Sequence, residues 1–298
     1  MNGTTHRRAL ATTGPRRGLA RCALGAALIA VWWPIAWLQF RPLSDHYFFP
    51  LWLGYILAVD GILTLRTGTS PMTRSGIRVA WMFVASIPLW WTFELFNQIV
   101  GNWHYHLPRP YGPVAYALLA SLAFSTVVPA VLTTCELVRS VNWDPLRRLP
   151  PIEAERRTLV ALCTAGLAMV ALIVAWPSYA FPLVWLALIF VFDPVASALG
   201  GKSIAWRLRR GDWSSVANLG VAALICGFFW EMWNVWALPK WTYEIPHADW
   251  LRVFEMPVLG YGGYIPFGVE VYIAYVLLGR LLPSAAFPEP RVSSRDVV

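Results

Sequence analysis

The chain has 298 residues, of which 57% are hydrophobic and only 13% are charged. Soluble globular chains carry roughly 25% charged residues, so this composition excludes a protein whose surface mostly faces water. The formal net charge is +8, but the basic residues form no contiguous basic run, and we expect no nucleic-acid partner. We instead expect membrane lipid to surround most of the chain.

Apolar stretches long enough to cross a bilayer recur along the whole chain. A membrane-spanning helix needs about 20 mostly apolar residues. Eight segments meet this requirement: 20–40, 48–65, 78–99, 113–138, 158–176, 181–199, 214–236 and 258–282. The sequence therefore predicts an all-α polytopic membrane protein with about eight transmembrane helices.

The basic residues predict how these segments are oriented. They are concentrated before the first segment and in every second connection after it. The intervening connections contain only Arg41, Arg109, Lys240 and Arg252. Because basic connections tend to stay in the cytoplasm, we expect both termini to be cytoplasmic. We expect the protein to lie in a bacterial-type inner (plasma) membrane.

One motif occurs twice in the chain. Its copies read Trp91-Thr-Phe-Glu94-Leu-Phe96-Asn97 and Phe228-Phe-Trp-Glu231-Met-Trp233-Asn234. The two glutamates are separated by 137 positions (231 − 94), and each copy is followed by a Trp-x-Tyr sequence, at Trp103–Tyr105 and at Trp241–Tyr243. The motif therefore indicates an internal duplication.

The duplication predicts two four-helix repeats. Since an even number of spans returns the chain to the same side, the second repeat enters the membrane in the same direction as the first, and the repeats are parallel. The predicted regions are a basic cytoplasmic N-terminus (1–19), a first repeat (20–141), a cytoplasmic linker (142–157), a second repeat (158–282) and a disordered cytoplasmic tail (283–298).

The duplicated motif also predicts where a site lies. Carboxylates and amides are costly within a membrane, and the spacing of three places Glu94 with Asn97, and Glu231 with Asn234, on one face of a helix. We expect these four residues to line an outward-facing pocket. The alternative is that they form hydrogen bonds that only hold helices together.

The second half contains additional polar residues near the motif. Glu255, Glu270, Tyr261 and Tyr264 have no acidic or phenolic counterpart in the first half. Crowded carboxyl groups at low dielectric are typical of acid–base catalysis. The catalytic prediction is Glu231, Glu270, Tyr261 and Tyr264. The substrate-binding prediction is Asn234, Trp233, Trp241, Tyr243, Glu255, Glu94 and Asn97. Alternatively, Glu255 forms an ion pair with Arg252 or Lys240.

The connection from Ala237 to Pro257 is unusually long and rich in aromatic and charged residues, including Trp250 and Asp249. Long ordered loops are often functional, and Trp and Tyr favour the membrane–water interface. We expect a re-entrant or interfacial helix here that covers the pocket.

Two aspartates, Asp60 and Asp193, occupy matching positions in the second and sixth predicted spans. We expect both to lie in the cytoplasmic half of the membrane. We expect each to pair with a basic residue such as Arg66, Arg78 or Lys202. The alternative role is a relay for protons or cations across the membrane.

The sequence does not identify a cofactor. His104 and His106 lie near Glu94 in the sequence, but a metal site needs three or four well-placed ligands, so we predict none. Their spacing of two suits a strand more than a helix. The glycines between Gly260 and Gly263 lack the residues that follow a phosphate-binding loop.

Three functions are compatible with these features. The first is an enzyme that acts on a lipophilic or amphipathic small molecule by carboxylate acid–base chemistry. The second is a secondary transporter or channel that uses the acidic residues of both halves. The third is a non-catalytic subunit of a membrane complex.

Overall fold

A computed structural model describes residues 3–141, 146, 149–248, 250–282, 290–293 and 296. Within these residues, eight helices are long and apolar enough to cross a membrane, and each overlaps one predicted segment. The all-α, multi-pass architecture is therefore confirmed. The spans are Pro15–Trp37, Phe48–Thr67, Val79–Val100, Pro113–Arg139, Arg156–Ala175, Pro177–Ala198, Ser214–Asn234 and Val258–Leu281.

The first half contains six helices and one strand: α1 (Gly3–Trp37), α2 (Phe48–Thr67), α3 (Pro71–Arg74), α4 (Gly76–Val100), β1 (Trp103–His106), α5 (Pro113–Phe124) and α6 (Val127–Arg139). The second half contains α7 (Arg156–Ala175), α8 (Pro177–Ala180), α9 (Val184–Ala198), α10 (Ile204–Leu208), α11 (Ser214–Asn234), β2 (Lys240–Tyr243), β3 (Arg252–Val253), β4 (Met256–Pro257) and α12 (Tyr264–Leu281). Short 3₁₀ helices cover Leu43–His46, Phe181–Leu183 and Val258–Gly263.

Helix α1 begins at Gly3, so residues 3–19 of the predicted N-terminal region are continuous with the first membrane helix. Its Ala, Leu and Arg residues favour helix. Glycines then bring α1 against α2: a Cβ on Gly25 would lie 2.5 Å from the Gly54 carbonyl oxygen. A Cβ on Gly61 would lie 2.7 Å from the Gly18 carbonyl oxygen. Small residues permit this backbone-to-backbone packing.

The same pairs of helices are in contact in the two halves. In the first half α1 packs on α2, α2 on α6 and α4 on α6; in the second half α7 packs on α9, α9 on α12 and α11 on α12. The halves meet where α6 packs on α11 and α4 on α12. Helices α1 and α7 are the least buried spans, so they lie at the periphery.

Aromatic pairs join α2 to α11 and α9 to α4. The rings of Trp52 and Trp230 are 4.9 Å apart, and those of Trp185 and Phe93 are 5.4 Å apart. Aromatic pairs at such distances contribute roughly 0.5–1.5 kcal/mol beyond the burial of their area. Each half therefore places an aromatic residue of its second membrane helix against the motif-bearing helix of the other half.

The two ends of the bundle differ in charge. We call the end that carries Arg66, Arg74, Arg139 and Arg207 the basic end. The opposite end, at β1 and β2, is the hairpin end. At the basic end the carboxylate of Glu136 accepts two hydrogen bonds from Arg74, both of 2.7 Å.

Asp60 lies at the basic end and holds the short helix α3. Its carboxylate accepts hydrogen bonds from Ser70 Oγ (2.9 Å) and the Met72 backbone N–H (3.0 Å). It also pairs with Arg21. Arg66, one of the predicted partners, instead donates to Ser140. The pairing partner therefore comes from α1, which the sequence spacing could not show.

Asp193 has the matching place in the second half. Its two oxygens accept hydrogen bonds from the backbone N–H groups of Ile204 (2.5 Å) and Ala205 (2.9 Å) at the start of α10. Ser203 caps the same helix by accepting from Trp206 N. The predicted pairing with a basic residue such as Lys202 is thus replaced by hydrogen bonds to the backbone.

Prolines divide two of the spans. Helix α5 ends at Phe124, and α6 begins at Val127, two residues before Pro129. Since Pro129 has no N–H for the Ser125 carbonyl and its ring crowds that group, the helix breaks before it. Pro266 likewise follows the 3₁₀ helix Val258–Gly263. The break before Pro129 leaves α5 as a separate short helix.

Strands occupy part of the connection Ala237–Pro257, where we predicted a re-entrant or interfacial helix. That prediction is wrong. Lys240–Tyr243 contains Trp, Thr and Tyr, which favour strands, and Pro239 and Pro246 exclude a continuous helix. Asp249, part of the predicted helix, lies outside the described residues.

Strand β2 pairs with β1, and β3 pairs with β4, both antiparallel. Trp103 lies opposite Tyr243, and Tyr105 lies opposite Trp241. The Trp-x-Tyr sequences of the two motif copies are therefore joined in a single two-stranded sheet.

The C-terminal region contacts the basic end. Asn218 donates a hydrogen bond to the Val292 carbonyl (2.9 Å), and Arg207 pairs with Asp296 (3.1 Å). Buried polar groups of the bundle thus find partners here, so the prediction of a disordered tail (283–298) does not hold for residues 290–293 and 296. The other residues of the tail, and residues 142–145, 147 and 148 of the predicted linker, lie outside the described residues.

Candidate functional site

Glu94 lies near the end of α4 and accepts three hydrogen bonds on one oxygen. The donors to Oε1 are Trp90 Nε1 (2.9 Å), Trp103 Nε1 (3.2 Å) and Tyr105 Oη (2.7 Å). Trp90 is one helical turn before Glu94, so the two side chains share a face of α4. Trp103 and Tyr105 alternate by two along β1, which places both on the same side of the strand.

Glu231 lies near the end of α11, and two phenols donate to it. Tyr243 Oη and Tyr264 Oη are both 2.7 Å from Glu231 Oε1. Trp241 Nε1 donates to Tyr243 Oη (2.8 Å) and so orients this phenol. Glu231 is fully buried, and its Oε2 has no hydrogen-bond partner among the described residues.

The asparagines of the motif fix the strands in place. The Asn97 amide donates to the Trp103 carbonyl (2.8 Å) and accepts from the Trp103 N–H (3.1 Å). Asn234 makes the same two bonds with Trp241, at 2.7 and 2.8 Å. Because Tyr105 and Tyr243 follow two residues later, each asparagine determines where a phenol meets its glutamate.

A cavity of about 210 Å³ lies at the hairpin end between the two halves. Fifteen of its 28 lining residues are Phe, Trp or Tyr, and Asp45 is the one acidic residue among those described. It is larger than the ~150 Å³ apolar cavity that holds a benzene molecule. The phenols Tyr105, Tyr243 and Tyr264 line it. An apolar molecule can therefore be bound there beside these phenols, which are three of the six tyrosines in the described lining.

The glutamates lie behind this aromatic wall. Among the described lining residues are neither Glu94 nor Glu231, but the lining phenols connect both to the cavity. The cavity therefore has aromatic walls, and each carboxyl group is separated from it by the phenols that bond to that group. Trp241, one of the residues predicted to bind a substrate, also lines the cavity.

Other predicted site residues lie away from the cavity. Trp233 is buried against Trp52 of α2, with ring centroids 5.1 Å apart. Tyr261 Oη donates to the Val253 carbonyl (3.1 Å). Glu255 pairs with Lys240 at 2.5 Å, as the alternative interpretation proposed.

Glu270 is buried in α12, deeper in the bundle. Neither of its oxygens makes a hydrogen bond of good geometry among the described residues, although it lies beside the Leu188 backbone. Burying a carboxyl group without partners is costly for its charged form. The structure does not bring Glu270 to the wall of the cavity.

The two histidines lie on β1, the strand that their spacing favoured. His106 Nε2 is 2.8 Å from Thr242 Oγ1, and His104 Nε2 is 3.5 Å from Glu244. Within the described residues, no group of three potential ligands could hold a metal ion.

Several lining residues were missed in the sequence. Trp90 could have been found, because it precedes Glu94 by four positions. Tyr47, from the start of α2, and Trp185, from α9, also line the cavity. No local signal connects them with the motif, since packing between distant helices brings them there.

Burial keeps the strand phenols protonated. Burial, and then the neighbouring Glu94 carboxylate, raises the pKa of Tyr105 well above its usual value. Burial and Glu231 do the same to the pKa of Tyr243. At neutral pH both phenols therefore remain neutral hydrogen-bond donors. Each can give up its proton only if it receives another proton in the same step.

The fold and the cavity define a multi-pass α-helical membrane protein with an aromatic cavity at one end of its bundle. Comparison with protein-family models, curated proteins and solved structures finds no significant match. The function is therefore argued from the geometry alone.

Proposed function

We propose that the chain consists of two parallel four-helix repeats related by a pseudo-two-fold axis along the membrane normal. The matching helix contacts support this proposal, as do the matching bonds of Asn97 and Asn234 to the strands. The crossed register of β1 and β2, with each tryptophan opposite the other repeat's tyrosine, is the register that a two-fold axis generates.

In this proposal the basic end faces the cytoplasm and the hairpin end faces outward. Arginines are concentrated at the basic end, as the positive-inside rule requires of cytoplasmic connections. Both termini are then cytoplasmic, and the membrane is a bacterial-type inner membrane. The cavity lies at the level of the outer leaflet.

We propose that the protein is an enzyme that binds a lipophilic or amphipathic molecule in the aromatic cavity and transfers protons to and from it. The observation that carries this proposal is the set of three cavity-lining phenols, each hydrogen-bonded to a buried glutamate. Positioned acid–base groups contribute typically 10²–10⁴-fold to a rate. A site built only for packing has no need of phenols at a cavity wall.

Helix α5 offers a path from the membrane to the cavity. Tyr116, Leu119 and Ala120 of this helix line the cavity. Val114 and Leu118, on its opposite side, are 74% and 68% exposed. A single short helix, broken from α6, thus separates the cavity from lipid. A substrate dissolved in the outer leaflet reaches the phenols by displacing α5.

Each residue then has a role. Glu231 and Glu94 hold the transferred protons, and Tyr243, Tyr264 and Tyr105 carry them to the cavity. Asn234 and Asn97 position the strand phenols. Trp230 and Phe267 form apolar wall.

The binding step is tested by native mass spectrometry of the protein purified in mild detergent. We expect a retained lipophilic molecule in the wild type and its loss in Ala120→Trp, which fills the cavity. Leu118→Trp, on the lipid-facing side of the same helix, is the matched control and should retain the molecule. Equal retention in both variants would place the ligand elsewhere.

The chemical step is tested by Glu231→Gln. The amide keeps an acceptor oxygen for both phenols but cannot give up a proton. We expect this variant to retain the substrate in unconverted form, distinguished by liquid chromatography from the molecule found in the wild type. An identical molecule in both proteins would mean binding without catalysis.

The transporter hypothesis finds less support. It needs Asp60 and Asp193 to exchange partners during transport. Asp60 instead holds the start of α3 through two bonds and pairs with Arg21 of α1, and Asp193 holds the first turn of α10. These bonds serve the structure of the basic end, so we prefer the enzyme. No contact in the described residues favours a subunit role.

A further inference from the structure

The two glutamates at the cavity differ in their hydrogen bonds. Three donors converge on Oε1 of Glu94, two of them indole N–H groups that cannot accept a proton in return. Glu231 has two phenol donors on Oε1, and its buried Oε2 has no partner among the described residues. The same motif thus creates two different environments.

This difference favours opposite protonation states. Hydrogen bonds stabilise the charged form of a carboxyl group, and Glu94 has three donors on one oxygen. A buried charge without donors is costly. With one oxygen unpartnered, Glu231 is better accommodated as a neutral carboxylic acid. One side of the cavity therefore holds a proton, and the other side has room for one.

Aromatic rings pack against one another in the wall of the cavity. Phe267 is 6.0 Å from Trp90, 6.0 Å from Trp185 and 6.1 Å from Trp230, measured between ring centroids. All four line the cavity. The face of an aromatic ring attracts a positive charge, and the attraction is stronger when the charge is desolvated. The wall suits a cation that exists only during a reaction.

We propose that the substrate is an unsaturated hydrocarbon chain, such as an isoprenoid, and that the enzyme moves a double bond or closes a ring. Glu231 is the proton donor, and Glu94 is the proton acceptor. The inference rests on the function proposed above and specifies its substrate class. It requires no oxidant, reductant or cofactor, because substrate and product have the same formula.

The electron pair of a C=C bond forms a C–H bond with a proton from Glu231, passed through Tyr243 or Tyr264, and the other carbon becomes positive. In a double-bond shift, that carbon keeps its charge. In a ring closure, the electron pair of a second C=C forms a C–C bond to it, and the other carbon of that C=C becomes positive. A neighbouring C–H bond then breaks, its electron pair forms the new C=C bond, and the proton passes through Tyr105 to Glu94. Proton exchange with water restores both glutamates.

The test uses a stable mimic of the cation. Hexadecyltrimethylammonium carries a fixed positive charge, and 2,2-dimethyloctadecane has the same shape without charge. Both are titrated in radiolabelled form into the purified protein in dodecyl maltoside. The ratio of the two affinities is compared between wild type and variants. Each probe partitions into the micelles equally with every variant, so this contribution cancels in the comparison. Binding of the uncharged probe shows that each variant retains its cavity.

Glu94→Gln should lower the ratio about tenfold, because it removes a negative charge beside the cavity. Glu231→Gln should leave the ratio within twofold of wild type, because it replaces a neutral acid with a neutral amide. Trp230→Leu should also lower the ratio, because it removes one of the ring faces.

An equal or larger loss in Glu231→Gln than in Glu94→Gln would overturn the assignment of donor and acceptor. Unchanged ratios in all three variants, with the uncharged probe still bound, would refute the cation mechanism and leave the proposed function intact. If the wild type bound neither probe and retained no lipophilic molecule, the proposed function itself would fail.

Discussion

The buried carboxyl groups that hold short helices at the basic end and the two motif glutamates at the hairpin end have different kinds of partner. At the basic end, Asp60 and Glu136 pair with arginines, and Asp193 accepts two backbone N–H groups. At the hairpin end, Glu94 and Glu231 accept bonds from phenols and indoles beside a cavity. The first arrangement fixes short connecting helices. The second keeps a titratable group within reach of a ligand.

The partners of the carboxyl oxygens distinguish the buried acids that stabilise the fold from those at the cavity. A carboxyl group whose two oxygens both accept bonds from cations or backbone N–H groups is held in place by these partners. A carboxyl group with a buried, unpartnered oxygen, as in Glu231, has no such partner on that oxygen. The distinction depends on the donors and not on depth, since Asp60 and Glu231 are both fully buried.

The largest expected effect is on catalysis. Glu231→Gln should reduce conversion of the substrate by about 10²–10⁴-fold, the typical contribution of an acid–base group. The folded protein should be retained, because the amide oxygen still accepts from Tyr243 and Tyr264. The measurement is turnover of the co-purified molecule, with thermal unfolding as the check on folding. A variant that unfolded before losing turnover would assign Glu231 to the fold.

Removing a basic-end carboxylate should have the opposite result. Asp60→Ala leaves Arg21 without its partner and frees the start of α3, so we expect a loss of about 3 kcal/mol in the free energy of unfolding. The remaining folded protein should bind the lipophilic molecule as wild type does. Stability is measured by unfolding in mixed micelles. A change in binding without a change in stability would revive the relay hypothesis for Asp60.

The membrane helices and the position of the site could be read from the sequence for clear physical reasons. Apolar length alone determines the spans. The duplicated Glu94–Asn97 and Glu231–Asn234 pairs marked one end of the bundle, because polar residues are costly in lipid. The helix predicted for 237–257 failed because prolines and β-favouring residues were given less weight than the interfacial preference of Trp and Tyr.

The details of the site depend on packing that no local pattern reveals. Glu255 and Glu231 are both acidic and close in sequence to aromatic residues, yet only Glu231 meets phenols. Trp185 lines the cavity because α9 packs across the interface between the halves against α4. Asp60 pairs with α1 because glycines bring that helix close to α2. Such contacts join residues far apart in the chain.

A smaller effect should separate two tyrosines of the second half. Tyr243→Phe removes a donor to Glu231 and should lower turnover about tenfold, which corresponds to ~1.4 kcal/mol. Tyr261→Phe is the matched control, since its hydroxyl contacts only the Val253 carbonyl among the described contacts. We expect its turnover to stay within twofold of wild type. Equal losses would show that the phenols act through general packing.

The asparagines provide a test that should affect both halves alike. Asn97→Ala and Asn234→Ala each leave an N–H and a carbonyl of a strand without partners, at a cost of about 1–3 kcal/mol. Thermal unfolding measures the loss. Asn234→Asp keeps the acceptor for Trp241 N–H and should fall between wild type and alanine. A large loss in one half only would argue against equivalent roles of the two strands.

The smallest effect is expected at Glu255, which belongs to the hairpin end by position but resembles the basic end in its partner. Its ion pair with Lys240 is partly exposed, with side chains 18% and 24% accessible. Pairs of this kind contribute roughly 0.2–1 kcal/mol and are screened by salt. Lys240 also donates to the Val235 carbonyl (3.1 Å), so Glu255→Gln leaves it anchored beside the cavity. We expect turnover within twofold of wild type and a loss of thermal stability that shrinks as sodium chloride rises. A salt-independent loss of turnover would instead place Glu255 with Glu231 among the groups that act on the ligand. The type of hydrogen-bond or ion-pair partner would then no longer distinguish acids that stabilise the fold from acids that act on the ligand.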